Sequence, residues 1–356
     1  MTRPRIALVT FGLDILGGQG VQACTLEGEL RKEGYEVLFI PVNPRFPRPL
    51  RALRRVPFLR TLLNQALYLP SLRRLRRADV VHVFSASYWS FLLAPVPAIS
   101  AARWLGKRIV LHYHSGEADE HLSRWGVLVH PWLRLVDEIV VPSEYLRGVF
   151  ARHGYRVRVI PNVVDTSCFR YRERTLLRPR LLSTRNLEPY YRVDNTLEAF
   201  ALLRARYPAA TLTVAGYGRE EGRLRWLATA LGADGIRFVG RIEPREMPAL
   251  CDQADVFVNS SVVDNQPVSV LEAFAAGLPA VSTGAGDIAA MVRDGETGLL
   301  VPPGDPAAMA KAVATLLEDP ERARRMARHA RREAEKHTWA QVREAWAAVY
   351  SGARPC

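Results

Sequence analysis

The chain has 356 residues, of which 48% are hydrophobic and 24% are charged, and its formal net charge is +13. This length suits two domains that each bury a core, and no run of about 18 uninterrupted apolar residues predicts a membrane-spanning helix. The four cysteines show neither paired nor metal-ligand spacing, and no signal-peptide pattern opens the sequence. We therefore expect a cytoplasmic protein.

Alternating strands and helices fill the first half of the chain. A helix is predicted over residues 21–32, and strands are predicted over residues 5–11, 36–41, 80–84, 108–112, 138–142 and 157–161. This alternation is typical of parallel βαβ units, so residues 1–165 are predicted to form a Rossmann-like domain.

A glycine-rich turn follows the first predicted strand. Gly17, Gly18 and Gly20 have neither the dinucleotide-binding spacing nor that of a P-loop. Such a turn lets the backbone approach a phosphate or a sugar closely, and it equally serves as a tight connection from strand to helix.

A strongly basic segment comes next. Between Glu36 and Asp79 the sequence has no acidic residue and ten arginines, which are interleaved with leucines: Arg45, Arg48, Arg51, Arg54, Arg55, Arg60, Arg73, Arg74, Arg76 and Arg77. Basic amphipathic segments bind anionic membrane surfaces. A solvated face is the main alternative, and no nucleic-acid recognition motif accompanies the charge. We favour contact with an anionic membrane.

Two histidines end the predicted strand at residues 108–112. Because side chains alternate along a strand, His112 and His114 lie on the same side, where either could reach a sugar hydroxyl. Both could instead be structural. Glu117, just beyond them, is a candidate carboxylate for binding a second substrate.

The second half repeats the alternation. Strands are predicted over residues 180–183, 211–216, 236–239, 256–259, 279–282 and 298–301. They predict a second Rossmann-like domain over residues 166–335, with the arginine-rich residues 162–179 as the connection. A helical segment over 336–356 closes the chain.

The most informative stretch reads DNQPVSVLEAFAAGLP, from Asp264 to Pro279. It places two carboxylates, Asp264 and Glu272, eight residues apart, and it predicts a helix that starts near Ser269. Free N–H groups and the dipole at a helix N-terminus attract phosphate. The alternative is a capping box, in which Glu272 merely bonds the backbone of Ser269.

This stretch resembles the retaining, nucleotide-sugar-dependent glycosyltransferases of family 4. Their signature has two acidic residues eight apart before EA-small-small-G-x-P, matched here by Glu272, Ala273, Gly277 and Pro279. The resemblance implies the α/β GT-B fold, with two Rossmann-like domains whose parallel sheets face each other across a cleft. The first domain would bind the acceptor and the second the nucleotide sugar, while the last helix would cross back to the first domain.

The resemblance also implies roles for individual residues. Arg185 would bind the diphosphate, a role that Arg192 would share. Asp264 and His114 would orient the donor sugar. The remaining donor contacts would be made by Gly18, Gly216, Arg241, Ser269 and Glu272, with Glu272 holding the ribose hydroxyls.

The sequence departs from the family pattern at two places. Tyr190 and Tyr191 stand where the family has a lysine that binds phosphate, and Asp264 stands where many members have glutamate. A non-catalytic sugar-nucleotide-binding or membrane-scaffold protein is therefore one alternative. A nucleotide-sugar epimerase that uses Asp14 and Glu117 is another.

The expected substrates follow from the same resemblance. A UDP-sugar is the expected donor, and a glycan or lipid-linked molecule is the expected acceptor. No D-x-D motif occurs in the chain, so neither a metal nor a permanently bound cofactor is expected.

Overall fold

The computed structural model describes residues 3–12, 17–44, 46–47 and 56–353, which form two compact α/β units. The first unit comprises the chain up to Pro161 together with the residues from Val342 onward, and the second is Asn162–Gln341. The sequence-based boundaries at 165 and 335 are close to these positions.

The first unit is built on a parallel sheet of six strands in the order β2-β1-β3-β4-β5-β6. All five residues of its β1 are buried, as in a strand covered by helices on both faces. Each strand lies where the sequence predicted one: β1 Ile6–Thr10, β2 Val37–Pro41, β3 Val80–Ser85, β4 Arg108–Tyr113, β5 Glu138–Val141 and β6 Arg158–Val159.

Seven helices and a 3-10 segment, Leu72–Arg77, accompany this sheet in the described part of the chain. The helix at Glu144–Arg152 buries Leu146, Val149 and Phe150, which recur at helical spacing, and Ser143 caps it by accepting from the Leu146 N–H at 3.2 Å. The helices are α1 Gly18–Lys32, α2 Pro57–Ser71, α3 Trp89–Leu93, α4 Pro95–Trp104, α5 Ala118–Arg124, α6 Gly126–Leu133 and α7 Glu144–Arg152.

The second unit has its own six-stranded parallel sheet, in the order β12-β11-β10-β7-β8-β9. Its strands are β7 Arg180–Ser183, β8 Thr211–Ala215, β9 Ile236–Gly240, β10 Val256–Asn259, β11 Ala280–Thr283 and β12 Leu299–Val301. Its helices are α8 Val193–Arg206, α9 Glu221–Ala230, α10 Met247–Gln253, α11 Val268–Ala275, α12 Ile288–Met291, α13 Pro306–Glu318 and α14 Pro320–Glu335, with 3-10 turns at Pro189–Tyr191 and Pro244–Glu246. The last helix is α15, Trp339–Ser351.

The direction in which successive strands are added reverses once in each sheet. The reversal lies between β1 and β3 in the first sheet, and between β7 and β10 in the second. Ligands of open α/β sheets bind beyond the carboxyl ends of the strands at such a point. The loops that follow these four strands are therefore the first places to look for a site.

The segment predicted to connect the two domains is an ordered part of the second unit. Arg174 is 5% exposed and donates to the carbonyl oxygens of Ala276 at 3.0 Å and Gly277 at 2.8 Å. It also pairs with the buried Asp255, whose carboxylate binds Arg180 as well. These bonds satisfy carbonyl groups at the C-terminal end of α11 and so fix that helix against the sheet.

Candidate active site

Three residues of the second unit converge where its strand order reverses. Arg185 follows β7, Asp264 follows β10, and Ser269 lies in the first turn of α11. The Arg185 guanidinium contacts an Asp264 carboxylate oxygen at 2.5 Å and donates to Ser269 Oγ at 3.0 Å. All three were predicted from the sequence, and the structure brings them together.

Arg185 is held by its surroundings. Only 8% of the residue is exposed, and its guanidinium carbon lies 4.0 Å from the centroid of the Tyr191 ring. Its Nε has no hydrogen-bond partner among the described residues. Asp264 also accepts from the Asn265 N–H at 2.9 Å. Since Arg185 and Asp264 neutralise each other here, a phosphate that binds Arg185 must compete with the Asp264 carboxylate.

The N-terminus of α11 is not closed by a capping box. The helix begins at Val268, its N-cap is Pro267, and no side chain caps it. Ser269 is therefore inside the first turn, where its hydroxyl binds Arg185 instead of the backbone. The capping-box interpretation of Ser269 and Glu272 is wrong, and the first-turn N–H groups retain their capacity to bind an anion.

Glu272 lies one turn further along α11. Removal of its carboxyl group from water raises its pKa to about 8, and the nearby Arg185 acts in the opposite direction. Glu272 also lies close enough to the buried Cys251 to raise the pKa of that thiol. The raised pKa favours the protonated carboxyl, which can donate a hydrogen bond as well as accept one.

Glycines allow neighbouring loops to approach the site. Gly216 (φ +149°), just after β8, has no room for a side chain because a Cβ atom would collide with the Arg185 carbonyl oxygen. At Gly286 (φ +57°), after β11, it would collide with the Asp264 carbonyl oxygen. Gly216 was predicted from the sequence, whereas Gly286 was not. The Gly-Ala-Gly run directly after a predicted strand was the available signal.

The residues at the expected lysine position have other partners. Tyr191 stacks on Arg185, and the Tyr190 carbonyl accepts from the Val262 N–H at 2.9 Å. Arg192 has left-handed backbone angles (φ +46°, ψ +44°) and its Nε donates to Asp194 at 3.0 Å. Tyr191, which the sequence analysis treated only as a departure, thus supports Arg185 through a cation–π contact.

Arg241 and Gly18 were also predicted to bind the donor. Arg241 follows β9 and pairs with Glu243 at 3.0 Å. Gly18 is the first residue of α1, after an extended Gly17. Their assignment to donor binding stays a prediction, as does that of Arg192.

The first unit has a cluster of three histidines on β3 and at the end of β4, of which His82 and His112 are buried and His114 is half-buried. His112 Nδ1 lies 3.2 Å from His82 Nε2, and His82 Nδ1 lies 2.9 Å from the Tyr350 hydroxyl. The His114 ring is 4.0 Å from that of His112, and its Nε2 has no partner among the described residues. Burial lowers the pKa of His82 and His114 to about 3. His114 is therefore a neutral imidazole, suited to hydrogen-bonding a hydroxyl.

Comparison with known proteins identifies the family. Residues 172–333 match the family described as glycosyl transferases group 1, and residues 16–167 match Glycosyltransferase Family 4. The chain is 33% identical over 300 residues to the glycogen synthase of Mycobacterium tuberculosis (strain ATCC 25618 / H37Rv), covering 78% of this chain and 70% of that protein. The chain belongs to the family 4 glycosyltransferases.

The names of other proteins similar to this glycosyltransferase mention other substrates. It is 30% identical over 323 residues to the GDP-mannose-dependent alpha-(1-6)-phosphatidylinositol monomannoside mannosyltransferase of Mycolicibacterium smegmatis, covering 83% of this chain and 78% of that one. The crystal structure of Anabaena Alr3699/HepE in complex with UDP and glucose matches it with a TM-score of 0.76 at 18% identity, over 98% of this chain and 100% of that one. The GT-B fold predicted from the sequence is confirmed.

The basic segment is described in part. Arg45, Arg48, Arg51, Arg54 and Arg55 lie outside the described residues, as does Asp14, whereas Arg60, Arg73, Arg74, Arg76 and Arg77 are exposed. On α2 two apolar side chains are also exposed, Phe58 to 83% and Leu62 to 59%. Within the described ranges, no helix has the length and apolar character needed to cross a bilayer. The same residues include no group of three or more His, Cys, Asp or Glu placed to hold a metal.

Proposed function

We propose that this glycosyltransferase takes a sugar from a UDP-sugar and transfers it with retention of configuration. The observation that carries the proposal is the position of Arg185, held by Asp264 and Ser269 at the N-terminus of α11 with Glu272 one turn away. A cation, free N–H groups and a carboxyl group are the groups that a nucleoside diphosphate requires. UDP is also the nucleotide in the complex of the structurally similar HepE.

In this proposal the diphosphate replaces Asp264 as the partner of Arg185. Arg185 and the first-turn N–H groups of α11 stabilise the charge that develops on the diphosphate as the glycosidic bond breaks. Asp264, released from the ion pair, accepts a hydrogen bond from a hydroxyl of the donor sugar. Glu272 binds the ribose hydroxyls, and the neutral His114 orients a sugar hydroxyl.

Retention follows from the direction of attack. The acceptor hydroxyl approaches the anomeric carbon from the face that the diphosphate leaves, and a diphosphate oxygen takes its proton. No metal is assigned to this step. The anomeric configuration of the product, determined by NMR coupling constants, tests the assignment, and an inverted product would contradict it.

Nucleotide binding is the first test. In a thermal-shift panel of UDP, GDP, ADP and their sugars, we expect UDP to stabilise the protein, by about 2.7 kcal/mol at 100 times its dissociation constant. Arg185→Ala and Glu272→Ala should lose this shift. Arg219→Ala and Glu221→Ala, which alter an exposed and a half-buried side chain of the same unit, should keep it. If no nucleotide shifts the wild-type protein, a non-catalytic scaffold becomes the better explanation.

We further propose that the acceptor is a glycan or lipid-linked molecule met at the inner face of an anionic membrane. The exposed Phe58 and Leu62 lie on the same helix as Arg60, and the exposed arginines of residues 72–77 follow that helix. Apolar insertion combined with basic charge is what holds peripheral proteins on anionic lipid. The phosphatidylinositol substrate in the name of the mycolicibacterial relative supports this acceptor class.

Vesicle flotation tests the membrane contact. The wild-type protein should float with vesicles that contain anionic phosphatidylglycerol and remain behind with pure phosphatidylcholine. Phe58→Ser with Leu62→Ser should reduce flotation at least tenfold, whereas Leu202→Ser, an exposed leucine of α8, should leave it unchanged. Equal flotation with both lipids, or none with either, would contradict the proposal.

A further inference from the structure

An exposed aromatic platform lies in the first unit, separate from the histidine cluster. Trp89 is 67% exposed, and its ring meets that of Trp125 edge to face, with centroids 5.3 Å apart. Trp125 in turn contacts the Tyr88 ring at 5.6 Å. With two further rings beside it, the exposed Trp89 ring offers an apolar surface that a ligand could cover.

The backbone under this platform is strained. Tyr88 has φ +56° and ψ −132°, in the range of φ that side-chain-bearing residues rarely adopt, and it stands at the N-cap of α3. Its carbonyl accepts from the Phe91 N–H at 3.0 Å, which helps hold this conformation. Such strain persists where the surrounding structure enforces it, and it concentrates at ligand sites.

Buried hydrogen bonds make the platform rigid. The Tyr113 hydroxyl lies 2.8 Å from Ser87 Oγ and 2.8 Å from His121 Nδ1. The His121 ring meets the Tyr88 ring edge to face at 5.2 Å. This chain links β4, α5 and the loop after β3, so the rings are positioned before any ligand arrives.

The position and the charge of the platform favour a sugar. It follows β3, one of the two strands at which the first sheet reverses its order, so it lies where ligands of such sheets bind. Glu117 is the N-cap residue of α5, the helix whose His121 packs on Tyr88, and burial together with the charges of Glu117 and Glu120 raises the pKa of the Tyr88 hydroxyl. Carboxylates accept hydrogen bonds from hydroxyl groups, so Glu117 favours a polyol over a phosphate at this place, while Glu120 is paired with Arg124 at 2.7 Å.

We propose that Trp89 stacks on a pyranose ring of the acceptor and that Glu117 binds hydroxyls of the same ring. The inference rests on the proposed transferase function and adds to it the acceptor class, a saccharide recognised by one face of its ring. The apolar C–H face of a pyranose covers an indole, while its hydroxyls lie at the rim and reach the carboxylates.

Ligand-observed saturation-transfer NMR on the full chain tests this inference with three probes: maltotriose, α-1,6-mannobiose and N,N′-diacetylchitobiose. We expect at least one probe to bind the wild-type protein, with strongest transfer to the C–H protons of one ring face. Trp89→Ala should weaken that binding about fivefold to tenfold, and Trp89→Phe should restore much of it. Trp104→Ala is the matched control, because Trp104 is 78% exposed and precedes β4 at the opposite edge of the same sheet.

Three results would overturn the inference: no probe binds the wild type, Trp104→Ala weakens binding as much as Trp89→Ala, or Trp89→Ala reduces vesicle flotation and leaves saccharide binding intact. The donor side is read separately through the thermal shift with UDP. Trp89→Ala should keep that shift. A wild-type protein that binds a saccharide at Trp89 without any shift by UDP would refute the proposed transferase function and not the saccharide site.

Discussion

The two sheets have similar architecture but carry different chemistry at their carboxyl edges. In the second unit the edge holds a cation, a carboxylate and a helix N-terminus, in Arg185, Asp264 and Ser269. In the first unit it holds neutral imidazoles and aromatic rings, such as His114 and Trp89. Parallel sheets thus provide the position, and in the proposed function the loop residues decide whether the edge binds a charged diphosphate or an uncharged polyol.

Breaking the ion pair between Arg185 and Asp264 should have the largest effect on stability. Asp264→Asn leaves the buried Arg185 without its counter-charge, so we expect the free energy of unfolding to fall by about 3 kcal/mol without nucleotide. UDP should recover most of this loss, because its diphosphate supplies the missing negative charge. Urea denaturation with and without UDP measures both values.

The control for that experiment is an exposed pair of the same unit. Glu188→Gln removes the partner of Arg219, whose side chain is 68% exposed, and should cost less than about 1 kcal/mol. An Asp264→Asn protein as stable as the wild type would show that Arg185 does not depend on Asp264.

A side chain at Gly286 should come next in effect. Gly286→Ala places a Cβ atom against the Asp264 carbonyl in a positive-φ conformation, so we expect a loss of about 2–4 kcal/mol and weaker UDP binding. Gly222→Ala is the control, since Gly222 lies in α9 with nothing within 4 Å of the added atom. It should stabilise the protein by about 0.5–1 kcal/mol. Thermal unfolding of both variants would show whether close backbone approach holds the site together.

Much of the fold could be predicted from the sequence because its signals are local. The runs ADVFVNS and RLLS are short, apolar and followed by polar residues, and both are buried strands of the second sheet. Arg185, Asp264 and Ser269 could be placed near one another because they follow neighbouring strands. The resemblance to family 4 added roles that spacing alone does not specify.

Other features depend on contacts between distant parts of the chain. The capping box fitted the local pattern, yet Arg185 binds the Ser269 hydroxyl from 84 positions away. From the sequence alone, residues 162–179 have the composition of a polar connection. Arg174 is buried in this segment because it donates to carbonyl groups of α10 and of the C-terminal end of α11, and the local sequence does not indicate these contacts. The pairing of Arg192 with Asp194 also competes with the phosphate-binding role implied by resemblance. The residues adjacent in the sequence do not show with which of several possible partners a charged side chain will pair in the folded protein.

The histidines of the first unit and Glu272 of the second unit should make the stability of the protein depend on pH in opposite directions. His82 and His114 have pKa values near 3 in the folded protein against 6.5 when exposed, so their contribution to stability is lost as pH falls below about 6.5. Glu272 has a folded pKa of about 8 against 4.5, so its contribution is lost as pH rises from about 4.5 through 8.

Variants separate these two contributions. His114→Gln should flatten the decline between pH 6.5 and 5, and Glu272→Gln should flatten the decline between pH 5 and 8. Urea denaturation at half-unit pH steps measures both. If UDP binding requires an ionised Glu272, calorimetry near pH 7 should also detect a proton released on binding that Glu272→Gln does not release. Unchanged pH profiles in both variants would show that neither group titrates differently in the folded protein.

Substitution of Arg192 should have the smallest effect. It tests whether the proposed diphosphate site of the second unit needs a second cation besides Arg185. Arg192→Gly relieves the strain of a left-handed backbone conformation. It also removes the ion pair with Asp194 and makes the unfolded chain more flexible, and both changes destabilise the fold. The net change in the free energy of unfolding should therefore lie within about 1 kcal/mol of zero. Because Asp194 holds the Arg192 guanidinium, we expect the dissociation constant for UDP to change less than about threefold, whereas Arg185→Ala should raise it at least tenfold. Calorimetric titration of both variants compares them directly. A tenfold loss in Arg192→Gly would mean that Arg192 leaves Asp194 to bind the diphosphate, and that two arginines replace the arginine and lysine that the family resemblance implies.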